Sequence, residues 1–187
     1  MPAQKERRFA HAVCCTSNNT LKMEPGEALG IAAQIAVALA GFAGVVVVFR
    51  RESVHEWSLL DKLRLRLLLA NSILPLGLSM IGMLLLTIKP MPPELWRWCS
   101  AMALLVFLMF LATTAKFFRR LGQREVERER GSRFMMYFFG ALGMAAMLLQ
   151  AYNVALLGAF WPFFAGVVYQ LVTAVAQFAR MILLLPE

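Results

Sequence analysis

Five long apolar stretches, separated by short polar ones, set the pattern of this chain. They cover residues 27–49, 67–88, 97–116, 134–156 and 160–184. The third is built on "CSAMALLVFLMFLATTA" and can be extended at the interface by Leu95, Trp96 and Trp98. A helix rises about 1.5 Å per residue, so about 20 residues cross a hydrocarbon core about 30 Å thick. Lipid offers no partner to backbone N–H and C=O groups, so each stretch is predicted to be helical. The fold class that follows is all-α, an integral membrane helical bundle of five transmembrane helices. In a four-span alternative the last two stretches are partly re-entrant around "LGAFWP" (157–162).

The polar connections alternate in charge. Segment 50–66 carries five basic residues and segment 116–133 seven, whereas 89–98 carries two and 157–159 none. Basic loops stay on the cytoplasmic side of a membrane. This bias of twelve against two predicts an N-out, C-in topology, with the prolines of "KPMPPE" making a short outer turn. Residues 1–22 fit poorly, because Lys5, Arg7, Arg8 and Lys22 resist export and no apolar core of a signal peptide accompanies them. They are read as a doubtful or disordered extension, with translation starting at Met23, ahead of a single transmembrane domain over 23–187.

Helical periodicity then assigns faces. At 100° per residue, Gly30, Ala33, Gln34, Val37, Ala40, Gly41 and Gly44 share an arc of about 120°. Small residues let backbones approach closely, so Gly30, Ala33, Ala40, Gly41 and Gly44 are predicted to form a helix-packing face. Asn71, Ser72, Pro75, Ser79 and Gly82 group on the second span, where Pro75 should kink the helix. Gly143, Ala146, Gln150 and Asn153 group on the fourth span, and Gly166, Tyr169, Gln170, Thr173, Gln177 and Arg180 on the fifth. A polar interior is therefore expected from Gln34, Asn71, Ser79, Gln150, Asn153, Tyr169, Gln170, Thr173 and Gln177. The third span offers only Thr113 and Thr114 near one end and is expected to be peripheral.

Composition adds weight to the membrane reading and removes several chemistries. The chain is 60% hydrophobic, against about 45–50% for an ordinary soluble domain. Its formal net charge of +8 flanks the apolar runs, which suits lipid headgroups rather than nucleic acid. The histidines are His11 and His55, and neither HExxH nor GxSxG occurs. Cys14, Cys15 and Cys99 have no metal-ligand spacing. No catalytic residue, metal or cofactor is expected. No Asp or Glu lies deep in a span, so an acid-based proton relay has no support. Arg180 lies about one turn from the end of its span and can snorkel to the interface.

The most charged stretch, "FRRESVHEWSLLDKLRLRLLL" (49–69), joins the first two spans. Its S-x-x-D pattern at Ser58 and Asp61 marks a helix start. Arg50, Arg51, Trp57, Arg64 and Arg66 are candidates for headgroup or partner contact. Together with Gly41, Phe42, Gly44, Val45, Val46, Phe49 and Asp61, this stretch resembles a recurrent pattern in small multi-span bacterial membrane proteins of unknown function. The resemblance covers about the first third of the chain. It implies a bacterial inner membrane and no particular activity.

Two functional expectations follow. In one, the chain is a non-enzymatic membrane subunit, sensor or scaffold that works through helix packing, with lipids and either a second copy or another membrane protein as partners. In the other, it is an oligomeric small-solute channel or transporter with a polar cavity between spans 1, 2, 4 and 5. A sealed interior with an outward small-residue face favours the first, and a continuous water path the second.

Overall fold

The computed structural model describes residues 23–49, 59–90, 92, 94–120 and 130–183. Five helices run through them: α1 (Pro25–Phe49), α2 (Leu59–Leu86), α3 (Leu95–Arg120), α4 (Arg130–Tyr152) and α5 (Phe160–Leu183). A single π-helical turn, Asn153–Leu157, continues α4. No strand occurs among the described residues. Each helix contains a stretch of 21 to 25 residues long and apolar enough to cross a membrane, so the chain has the architecture of a multi-pass membrane protein. The fifth of these, Phe160–Ile182, is full length, which replaces the re-entrant alternative with a fifth span. Helix α2 begins at Leu59, directly after the serine of the S-x-x-D pattern. The expectations for residues 1–22, and for Arg50, Arg51 and Trp57, lie outside the described residues.

Helices α1, α2 and α5 pack on one another, and α3 adds to them at the end where the connections are short. The core draws Leu29, Ala32, Ala36 and Ala43 from α1, Leu68 and Leu78 from α2, and Phe163, Val167, Leu171 and Ala174 from α5. Aromatic rings gather at the short-connection end: the Trp96 ring lies 4.7 Å from Phe160 and 6.0 Å from Phe163, centroid to centroid. Trp98 and Trp161 are exposed beside them, as suits the headgroup layer.

Two expectations about faces are corrected. The first concerns α1. Its buried residues are Ala28, Leu29, Ala32, Ala33, Ala36, Leu39 and Ala43, whereas Gly41 and Gly44 are exposed and Gly30 and Ala40 half-buried. The packing face is rotated by about 115° from the predicted one, at 100° per residue. Only Ala33, at its margin, belongs to both. The cause is compositional. Small residues occur all round α1, so residue size alone cannot choose a face. The alanine face wins because Leu29 and Leu39 lie on it and fill the space between helices, with Leu29 Cδ1 reaching Gly82 of α2.

The second correction concerns α3, which is not peripheral. It touches α2, α4, α5 and the π turn, and buries Leu95, Cys99, Ala103 and Phe107 at four-residue spacing, with Ser100 beside them. Thr113, which drew attention in the sequence, is exposed and bonds back to its own helix at Phe110 O. The outlying helix is α4. Only 11% of its span is buried inside the bundle, against 22% for α3.

Candidate functional site

Polar side chains inside the bundle form three groups. The first closes the turn between α4 and α5. The Asn153 amide donates to Ser100 Oγ (2.7 Å) and to Ala159 O (3.0 Å), and its Oδ1 accepts from Ala159 N–H (2.9 Å). Gly158 ends the π turn at φ +61°, a conformation glycine adopts without strain, and its N–H donates to Asn153 O at 2.9 Å. One side chain thus ties α3 to the α4–α5 connection. Ser100 was not among the expected interior residues. The signal that could have found it is its place beside the Leu95–Cys99–Ala103 stripe.

The second group lies toward the opposite end. Asn71 Nδ2 donates to Gln177 Oε1 at 3.3 Å, joining α2 to α5. Ser72 and Thr173 are buried and satisfy their hydroxyls on their own helices, at Leu68 O (2.9 Å) and Tyr169 O (2.8 Å). Tyr169 Oη donates to Phe139 O on α4 at 2.7 Å, and passes over Gly143, where a Cβ would lie 2.6 Å from that oxygen.

The third group is midway. Gln150, Gln170 and Ser79 are each fully buried. Gln150 Nε2 donates to Pro162 O at 2.6 Å, but its Oε1 has no hydrogen-bond partner among the described residues. Neither amide atom of Gln170, nor Ser79 Oγ, has one either.

Gln34 is the expected interior residue that lies elsewhere. It is exposed on the outer side of α1, with Val37, Gly41 and Gly44 on the same flank. A Cβ on Gly30, Gly41 or Gly44 would meet no atom within 4 Å. This outer flank is the arc the sequence marked for packing, and among the described residues nothing packs against its glycines. Gln34 lies ten residues into the 21-residue span Pro25–Val45, close to mid-membrane. Beside that flank an apolar groove of about 530 Å³ runs between α1 and α5, lined by Ile31, Ile35, Val168 and Val172 among others. Arg64 and Arg66 stand on the second turn of α2, half-buried and exposed respectively.

Among the described residues no three His, Cys, Asp or Glu side chains come together in a way that could hold a metal ion. The interior joins helices through neutral amides and hydroxyls. No family model, curated protein or solved structure matches the chain.

Proposed function

We propose that this protein is a non-enzymatic membrane subunit that works as a scaffold or sensor through lateral contacts of α1, with a second copy of the chain as its first partner. The observation that carries this reading is Gln34, an amide near mid-membrane on a face of small residues that its own bundle leaves bare. An amide left in hydrocarbon without a partner costs a few kcal/mol. A facing helix that fits against Gly30, Gly41 and Gly44 brings backbones close and offers such a partner. A carboxamide is both donor and acceptor, so the same face on a second copy is complementary to it, as a two-fold contact requires. The channel reading has less support, because Ser72, Ser79, Gln150, Asn153 and Gln170 are all fully buried inside one chain.

The test is cysteine cross-linking in membranes. Oxidation should join two chains through Val37→Cys on the α1 flank, and much less through Val172→Cys on α5. Adding Gln34→Leu should weaken association about fivefold, the equivalent of about 1 kcal/mol for one interhelical hydrogen bond. Equal cross-linking through both faces, or none through α1, would remove the proposal.

The proposed setting is a bacterial inner membrane, N-out and C-in, which rests on the resemblance of the first third and on the distribution of lysine and arginine. An impermeant thiol reagent added from outside is expected to label cysteines introduced at 90–94 and to miss those at 122–130. Labelling of 122–130 instead would invert the topology.

A further inference from the structure

Among the described residues, four buried polar atoms near mid-span make no hydrogen bond: Gln170 Nε2, Gln170 Oε1, Gln150 Oε1 and Ser79 Oγ. All belong to side chains with 0% exposure. Buried polar groups are nearly always paired, to protein or to ordered water, because each unpaired one is costly. Four such atoms scattered through the bundle would be four separate defects. They are not scattered. The Gln150 amide rests directly on Gly166 of α5. Gln170 follows Gly166 by four residues, so it lies on the same face one turn along. Helices α2 and α5 run antiparallel, with Asn71 bonded to Gln177 and Gly82 against Phe163. That register sets Ser79 opposite the turn from Gly166 to Gln170. Side chains from α2, α4 and α5 therefore lie within about one turn of the same level.

The level is near the centre of the membrane. Gln170 lies ten residues past Phe160 in the span Phe160–Ile182, about 15 Å along the helix axis at 1.5 Å per residue. Segments 67–88, 134–156 and 160–179 contain no charged residue, so no fixed charge from α2, α4 or α5 faces the cluster. The free valences are mixed: the Gln170 NH₂ donates, the two amide oxygens accept, and the Ser79 hydroxyl does either. A metal cation would satisfy the oxygens and oppose the NH₂, and an anion would do the reverse. The space is also small, since a Cβ on Gly166 would run into the Gln150 amide and one on Gly82 would lie 2.9 Å from Leu29 Cδ1.

We infer that Gln170, Gln150 and Ser79 hold buried water, a neutral guest that donates and accepts, as a bridge joining α2, α4 and α5 at mid-membrane. A buried water commonly makes about three hydrogen bonds, and three side chains supply them here. The bridge does in the middle of the bundle what Asn153 does at one end and the Asn71–Gln177 pair does toward the other. It is independent of any contact between chains.

The experiment is hydroxyl-radical labelling by X-ray pulses, run on the full-length protein in lipid nanodiscs with ¹⁸O-enriched water. Radicals formed from bound water oxidise side chains beside it, including ones closed to bulk solvent. Phe163 and Val167, both 1% exposed, flank the cluster on α5 and should take up ¹⁸O within the pulse. Gln170→Met keeps the side-chain length and removes both amide atoms. It should cut that uptake at least fivefold while leaving the melting temperature within about 3 °C of wild type. Ser79→Ala should cut it in part and serves if the methionine variant does not fold. Absence of ¹⁸O at Phe163 and Val167 in the wild type would overturn the inference. So would uptake that is unchanged in both variants, since the oxygen would then come from bulk water.

Discussion

Asn153→Leu is expected to destabilise the protein by about 2–3 kcal/mol, measured by SDS unfolding in mixed micelles. Leucine matches asparagine in shape but can make none of its three side-chain hydrogen bonds, to Ser100 Oγ, Ala159 O and Ala159 N–H. Hydrogen bonds between membrane helices average about 0.6 kcal/mol, which sets a lower bound near 2 kcal/mol for three. Groups left buried and unpaired cost more, about 1–3 kcal/mol each, and Ser100 is fully enclosed. The loss should also be local: α3 and the α4–α5 turn should separate while the α1–α2–α5 packing persists. Ser100→Ala alone should cost about 1 kcal/mol, and the double variant less than the two singles added, because they share one hydrogen bond. A loss below about 1 kcal/mol for Asn153→Leu would mean that the turn is held by backbone geometry at Gly158 and not by this side chain.

How far the sequence discloses this molecule depends on which force sets each feature. The spans are legible because the hydrocarbon thickness dictates their length. The stretch 27–49 became Pro25–Phe49, and 160–184 became Phe160–Leu183. Polar faces on α2 and α5 are legible because an amide inside a span tends to seek a partner. Asn71, Ser72, Ser79, Gln170 and Thr173 are all buried on the predicted sides. The packing face of α1 is not legible by the same reasoning, since Ala28, Ala32 and Ala36 are as small as the residues of the glycine arc and lie on the other side. Choosing between two small faces needs the partner surface, here Gly82 receiving Leu29. Ser100 is not legible because a lone serine beside an aromatic boundary carries no periodic signal of its own. Its role comes from Asn153, 53 residues away in sequence. Gln34 lies outside the bundle, against the expectation from sequence. The expectation that an amide must point inward treats the single chain as the whole assembly, whereas in the proposed pairing a second chain would meet the same physical requirement.

Gly166→Ala should be the most damaging methyl addition in the bundle. The new Cβ would fall on Gln150 Nε2, an atom already committed to Pro162 O at 2.6 Å. Gln150 is fully buried, so its amide has no open space to retreat into. Either the hydrogen bond to Pro162 O breaks or α4 moves away from α5, and overpacking of this kind costs about 1–3 kcal/mol. The expected loss is near the top of that range, because a buried Gln150 NH₂ stripped of its acceptor adds to the steric term. Gln150→Ala alone should cost about 2 kcal/mol through the lost hydrogen bond to Pro162 O and the space left behind. The double variant distinguishes the cause. With the amide gone, the methyl added at position 166 has room, so the pair should be no less stable than Gln150→Ala by itself. That corresponds to a coupling energy of about 3 kcal/mol between neighbours on two helices. Additive losses in the same micelle assay would show that glycine at 166 answers to some contact other than Gln150, and that the close approach of α4 to α5 does not depend on this amide.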